Sequence, residues 1–110
     1  MSSLNNAEMQ ESPMLAMQEH AESASKLLKA LANDKRLLIL CQLAEGESSV
    51  GHLVDKLQMG QSSLSQHLAV LRNEELVCTR RDAQTIYYRL NDGPVQEVMM
   101  TLYNIYCAQQ

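Results

Sequence analysis

Midway along the chain, two short stretches of helical periodicity are separated by three residues, and the period then switches to that of a strand. VGHLVDKL puts Val50, Leu53, Val54 and Leu57 on one helical face. Gln58-Met59-Gly60 follows as a turn, and QSSLSQHLAVLRNE then restores the helical pattern with Leu64, Leu68 and Leu71. Immediately afterwards, LVCTRRDAQTIYYRL is rich in β-branched and aromatic residues around a polar RRDAQ centre, the pattern of a β-hairpin. Helix, tight turn, helix and hairpin in that order leave few architectures open.

The flanking segments narrow them further. Ser12-Pro13 is a helix start, with Ser12 as N-cap and Pro13 at the first helical position. Met14, Met17, Ala21, Ala24, Leu28 and Leu31 then recur at steps of three and four, a stripe suited to packing along another helix. Its periodicity fits a core face within one subunit and a seam between two subunits equally well. Asn33 is placed to cap a second helix from Asp34 to about Ala44, whose LLILCQL middle is apolar all round and predicts a buried element with Cys41 shielded by leucines. Ser48 or Ser49 would cap the third helix. After Asn91-Asp92-Gly93-Pro94, a final helix runs to about Cys107. Val95, Val98, Met99, Leu102, Ile105 and Tyr106 form its main apolar stripe, and Met100, Tyr103 and Cys107 form a second. A helix apolar on two faces needs its own core and a second subunit. The expected fold is mainly α with a small β-hairpin wing: four helices, a hairpin and a fifth helix, a winged helix-turn-helix. Residues 1–11 read as a disordered polar tail and residues 12–110 as one domain.

Phe and Trp are absent and there are 7 Met, so the core must be aliphatic and thioether. No apolar run approaches the roughly 20 residues of a membrane span. MSSLNNAEMQESP has neither the basic start nor the apolar stretch of a signal peptide, which leads to the expectation of a cytoplasmic protein without a membrane partner. Three cysteines in a reducing compartment argue against a structural disulfide framework and leave packing, metal or redox chemistry. The net charge of −4 is carried by Glu8, Glu11, Glu19 and Glu22 near the N-terminus, with no Lys or Arg before Lys26. The remainder is neutral, with Lys26, Lys29, Lys35 and Arg36 in one basic group and Arg72, Arg80, Arg81 and Arg89 in another. A neutral body with local basic patches can bind phosphate.

The fourth helix carries the functional chemistry. A reader of the DNA major groove needs one apolar face and short or amide-bearing side chains near its N-terminus. Gln61, Ser62, Ser63, Ser65, Gln66 and His67 crowd the first two turns. Gln pairs with adenine through two hydrogen bonds, and Ser approaches phosphate or base. Taken alone, these residues could be a solvated amphipathic face. The hairpin that follows, with Arg80, Arg81 and Gln84 around its turn, favours double-stranded operator DNA as the partner.

Residues 26–107 resemble the ArsR/SmtB family of winged-helix transcriptional repressors. The match is carried by LLKALANDKRLLIL, by SSVGHLVDKLQMGQSSLSQHLAVLR and by the wing LVCTRRDAQTIYYRL, with Ser65, His67, Leu68 and Leu71 as the core of the recognition helix. Gly60 stands where a capping Ser is common, and Glu75 stands where Gly usually ends the recognition helix, so Asn73 is expected to take the left-handed turn. The resemblance implies a transcriptional regulator, not an enzyme, that acts as a homodimer. Pairing would run through Met14, Met17, Ala21, Ala24 and Leu28 of the first helix and Met99, Leu102 and Tyr106 of the last.

The family's usual metal sites are missing. Its Cys-x-Cys positions in the third helix are Ser49 and Gly51, and the final helix has no His. His20, His52 and His67 lie on three different helices, so neither a metal nor a cofactor is expected. A cysteine on the second helix and one at the end of the fifth match the family's reactive-sulfur-sensing branch. By that resemblance, persulfides or polysulfides would join Cys41 to Cys107 and release the DNA. Cys78 reads as a packing residue of the wing. Two alternatives share the same DNA contacts: a metal- or arsenical-responsive repressor using Cys41, Cys107 and one other ligand, and an anti-silencing activator. A thiol peroxidase would need a cysteine held by a base in a pocket, and no motif supplies one.

Overall fold

The structure is a computed structural model and describes residues 12–108; the tail expected over residues 1–11 lies outside them. Helix α1, Pro13–Leu31, begins where Ser12 Oγ accepts a hydrogen bond from the Leu15 amide at 3.3 Å. Helix α2, Asp34–Ala44, is capped by Asn33, whose side-chain oxygen accepts from the Arg36 amide at 3.0 Å. Arg36 also reaches back to the end of α1: its Nε donates to the Ala30 carbonyl at 2.6 Å, satisfying a helix-end oxygen. Helices α3, Val50–Leu57, and α4, Gln61–Asn73, form the helix-turn-helix. Gln58 makes the turn between them in the left-handed conformation, φ 53°, and its side-chain amide donates to the Asp55 carbonyl. Strands β2, Val77–Asp82, and β3, Thr85–Leu90, build the wing, and α5 is Pro94–Tyr106.

The core is aliphatic, as the lack of Phe and Trp requires. Ile39, Leu40, Leu53, Leu64, Leu68, Leu71 and Val95 are fully enclosed, with Met59 and Met99 filling the margins. These residues come from α2, α3, α4 and α5, so α2 is the common wall and packs against both α4 and α5. Truncating a residue such as Leu68 to Ala would cost about 2–5 kcal/mol.

Four local expectations are corrected. The wing is three-stranded: β1, Ser48–Ser49, pairs antiparallel with β3 through Ser48–Tyr88 and Ser49–Tyr87, while β3 pairs with β2 on its other side. A two-residue strand has too little sequence to announce itself. Asn73 remains helical, and Glu75 takes the left-handed turn at φ 61°, with its carbonyl accepting from Asn91 Nδ2 at 2.9 Å. Helix α2 is not buried all round: Leu38 is 52 % exposed, and Cys41, one turn further on the same side, is also exposed rather than shielded by leucines. On α5, Val95 and Met99 are buried and Val98 and Leu102 half-buried, but Ile105 and Tyr106 of the same stripe are exposed.

Candidate nucleic-acid interface and cysteine pair

Leu64, Leu68 and Leu71 fasten α4 to the core, which turns the opposite side outward. Gln61, Ser62, Ser65 and Gln66 are exposed together on that side, whereas Ser63 and His67 are half-buried along its flank. Gly60 at the N-cap supplies no side chain, so the first amide groups of α4 have no side-chain cap. Short polar side chains and unsatisfied N–H groups on one convex helix end suit a groove lined with base edges and phosphates.

The wing places its polar residues differently. β2 pairs Arg81 with Ile86 and Arg80 with Tyr87, so the two arginines point to opposite faces. Arg81 is exposed, and Gln84 lies in the two-residue turn after Ala83, which adopts φ 57°. Arg80 is engaged within the chain. Its Nε and Nη2 donate to the two carboxylate oxygens of Glu47 at 2.8 and 2.7 Å, and its guanidinium lies 4.5 Å from the Tyr87 ring centre. Sequence reading missed Glu47 altogether, because 33 residues separate it from its partner and no periodicity links them. Cys78 is half-buried opposite Arg89 in the wing.

The cysteines read as a pair lie on, or at the end of, two helices that pack together: Cys41 within α2 and Cys107 after α5. Cys107 is the C-cap of α5, with its amide donating to the Tyr103 carbonyl at 2.8 Å, and its side chain is exposed. Although its side chain reaches solvent, Cys41 is held above the ordinary thiol range, chiefly by partial desolvation and further by the negative charges of Cys107 and Glu45. Among the described residues, no group of three or more His, Cys, Asp and Glu is placed to hold a metal ion, and no helix is long and apolar enough to cross a membrane.

The helices assigned to pairing leave their apolar residues in water. Every residue of α1 from Pro13 to Ser23 is exposed, including Met14 and Met17, and Leu28 further along is 61 % exposed. Ala21 is exposed and Ala24 half-buried. On α5, Tyr106 is exposed, Leu102 half-buried and Met99 buried, so Met99 belongs to the subunit core.

A recognition helix presented by a leucine core, flanked by a hairpin with an exposed arginine, defines a winged helix-turn-helix DNA-binding regulator rather than an enzyme. The family model for bacterial regulatory proteins of the arsR family matches residues 33–79. The transcriptional activator HlyU of Vibrio cholerae serotype O1 is 47 % identical over 91 residues, 83 % of this chain and 84 % of that protein. The biofilm growth-associated repressor of Agrobacterium fabrum is 45 % identical over 91 % of this chain and 86 % of its own length. A solved structure of reduced HlyU from Vibrio cholerae N16961 superposes with a TM-score of 0.79 at 47 % identity, covering 84 % of this chain and 97 % of that one. The chain belongs to the ArsR family and is a transcriptional regulator.

Proposed function

We propose that the chain is a homodimeric operator-binding regulator that lets go of DNA when reactive sulfur joins Cys41 to Cys107. The recognition surface would be Gln61, Ser62, Ser65 and Gln66, with Ser63 and His67 on its flank and Arg81 and Gln84 reaching from the wing. The first three turns of α1, exposed throughout among the described residues, and the exposed face of α5 would supply the seam. The sensing part is supported by the packing of α2 against α5, which carry or end at the two cysteines, and by the exposure of both thiols.

The chemistry balances without a cofactor. The Cys107 thiolate attacks the outer sulfur of a persulfide RS–SH, forming Cys107–S–SH and releasing RS⁻. The Cys41 thiolate then attacks the Cys107 sulfur and expels HS⁻. Two thiols are oxidised to a disulfide, and the sulfane sulfur leaves as hydrosulfide, with the two thiol protons taken up by RS⁻ and HS⁻. A direct bridge needs Cα atoms within about 7 Å, and each additional sulfur in a polysulfide bridge extends the reach by roughly 2 Å. Partial desolvation raises Cys41 and lowers its thiolate fraction at neutral pH, which suits it to the second step of this scheme. Since α2 packs on both α4 and α5, a covalent tie at the α2–α5 contact would bias the packing that aims the recognition helix.

The similar proteins include an activator and a repressor, so the sign of control would depend on where the operator lies in the promoter. Intact mass spectrometry of persulfide-treated protein, run beside DNA-binding titrations, tests the proposal. Wild-type and Cys78→Ser protein should gain the bridge and release DNA. Cys41→Ser and Cys107→Ser should bind DNA and keep it after treatment. Normal release by Cys107→Ser would remove Cys107 from the switch.

A further inference from the structure

The bidentate contact of Arg80 with Glu47 sits poorly with the assignment of both wing arginines to phosphate. Arg80 commits the Nε–Nη2 edge of its guanidinium to one carboxylate, with its Cζ over the Tyr87 ring. Its hydrogen bonds hold the Glu47 carboxyl below the usual carboxylate range, so the partner stays ionised at neutral pH. Glu47 directly precedes β1, which pairs with Tyr87 and Tyr88 of β3, and Ser49 of β1 caps α3 through the His52 amide at 3.1 Å. One ion pair thus fastens the wing to the segment that starts the helix-turn-helix. Arg81, on the opposite face of β2, has no ion-pair partner among the described residues.

We propose that Arg80 is a positioning residue: with Glu47 and Tyr87 it braces the wing at a fixed angle to the recognition helix, and Arg81 is the arginine that meets phosphate. The inference rests on the operator-binding reading. An exposed ion pair adds little to overall stability, so the effect of the brace is read in DNA affinity rather than in unfolding. Fork geometry and stacking are what it uses, and lysine has neither.

The test uses the full chain and a duplex selected by the wild-type protein from a randomised library. Affinity is measured over a range of salt concentrations for Glu47→Gln, Arg80→Lys and the double variant, with unfolding midpoints as a control for folding. A brace predicts that each single variant binds about two- to fivefold more weakly. The salt slope should stay at the wild-type value, and the double variant should be no weaker than the worse single one. If Arg80 instead meets phosphate, Arg80→Lys will bind like wild type, because lysine serves phosphate, and Glu47→Gln will bind more tightly because a competing anion is gone. That result overturns the brace and leaves operator binding intact. If the wild-type chain selects no duplex, the operator-binding reading fails and the brace with it.

Discussion

In the helix-turn-helix and wing, leucines face inward and polar side chains face water; in α1 and the end of α5, large apolar side chains stand exposed. Leu53, Leu64, Leu68 and Leu71 are all enclosed, while Met14, Met17, Leu28, Tyr103, Ile105 and Tyr106 each have about half or more of their surface accessible. The first region has its complement within the subunit and needs only a polar ligand. The second has an unfilled apolar requirement, which a second copy of the chain would meet by laying α1 and α5 against their counterparts. Such contacts are adjustable in a way that the leucine core is not, since close-packed interiors resist deformation. Cys41 lies on α2, the helix that touches both regions, and Cys107 caps the end of α5.

The sharpest way to break this contrast is to put a charge on the exposed seam. Met17→Glu should leave the subunit folded, because Met17 is exposed and lies outside the hydrophobic core, but should produce monomers by sedimentation. DNA affinity should fall about 10²–10⁴-fold, as two linked half-site contacts become one. A wild-type chain that sediments as a monomer at micromolar concentration would contradict the seam. The next effect belongs to the reading surface. Gln66→Ala should cost about 1–3 kcal/mol of operator binding and relax sequence preference at one position, measured by competition with altered duplexes. Arg81→Ala should weaken all sequences alike and lower the slope of log affinity against log salt by about one unit. The smallest effect concerns the pair itself. Cys41 is pushed up, so its alkylation should be slow at neutral pH and continue to rise through and above the ordinary thiol range. In Cys107→Ser one of the upward influences is gone, and the Cys41 rate profile should move to lower pH. An unmoved profile would place the two sulfurs too far apart to interact.

Much of this organisation was legible in the residues. The N-caps Ser12 and Asn33, the leucines of α4 and the two long strands follow from local patterns that are self-sufficient. What was not legible depends on contacts between distant segments. LLILCQL reads as an all-round buried helix because hydropathy cannot tell a face against the core from a face left for a partner, which is the situation of Leu38 and Cys41. Glu75, rather than Asn73, takes the left-handed turn because the helix runs on through Asn73 and Asn91 Nδ2 then donates to the Glu75 carbonyl. Arg80 looks like a free basic residue until the fold brings Glu47 beside it. Of the predicted reading surface, four residues share the exposed side of α4, and Ser63 and His67 are drawn towards its edge by the helical period itself.

The most direct test of the central claim is the ratio of operator dissociation constants for reduced protein and for protein whose Cys41–Cys107 bridge has been verified by mass. A coupling of about 3 kcal/mol between the bridge and the DNA-binding arrangement predicts a ratio near 150, reversed on reduction with a thiol. Bridged protein that binds the operator as tightly as the reduced form would show that the cysteine pair does not control DNA binding.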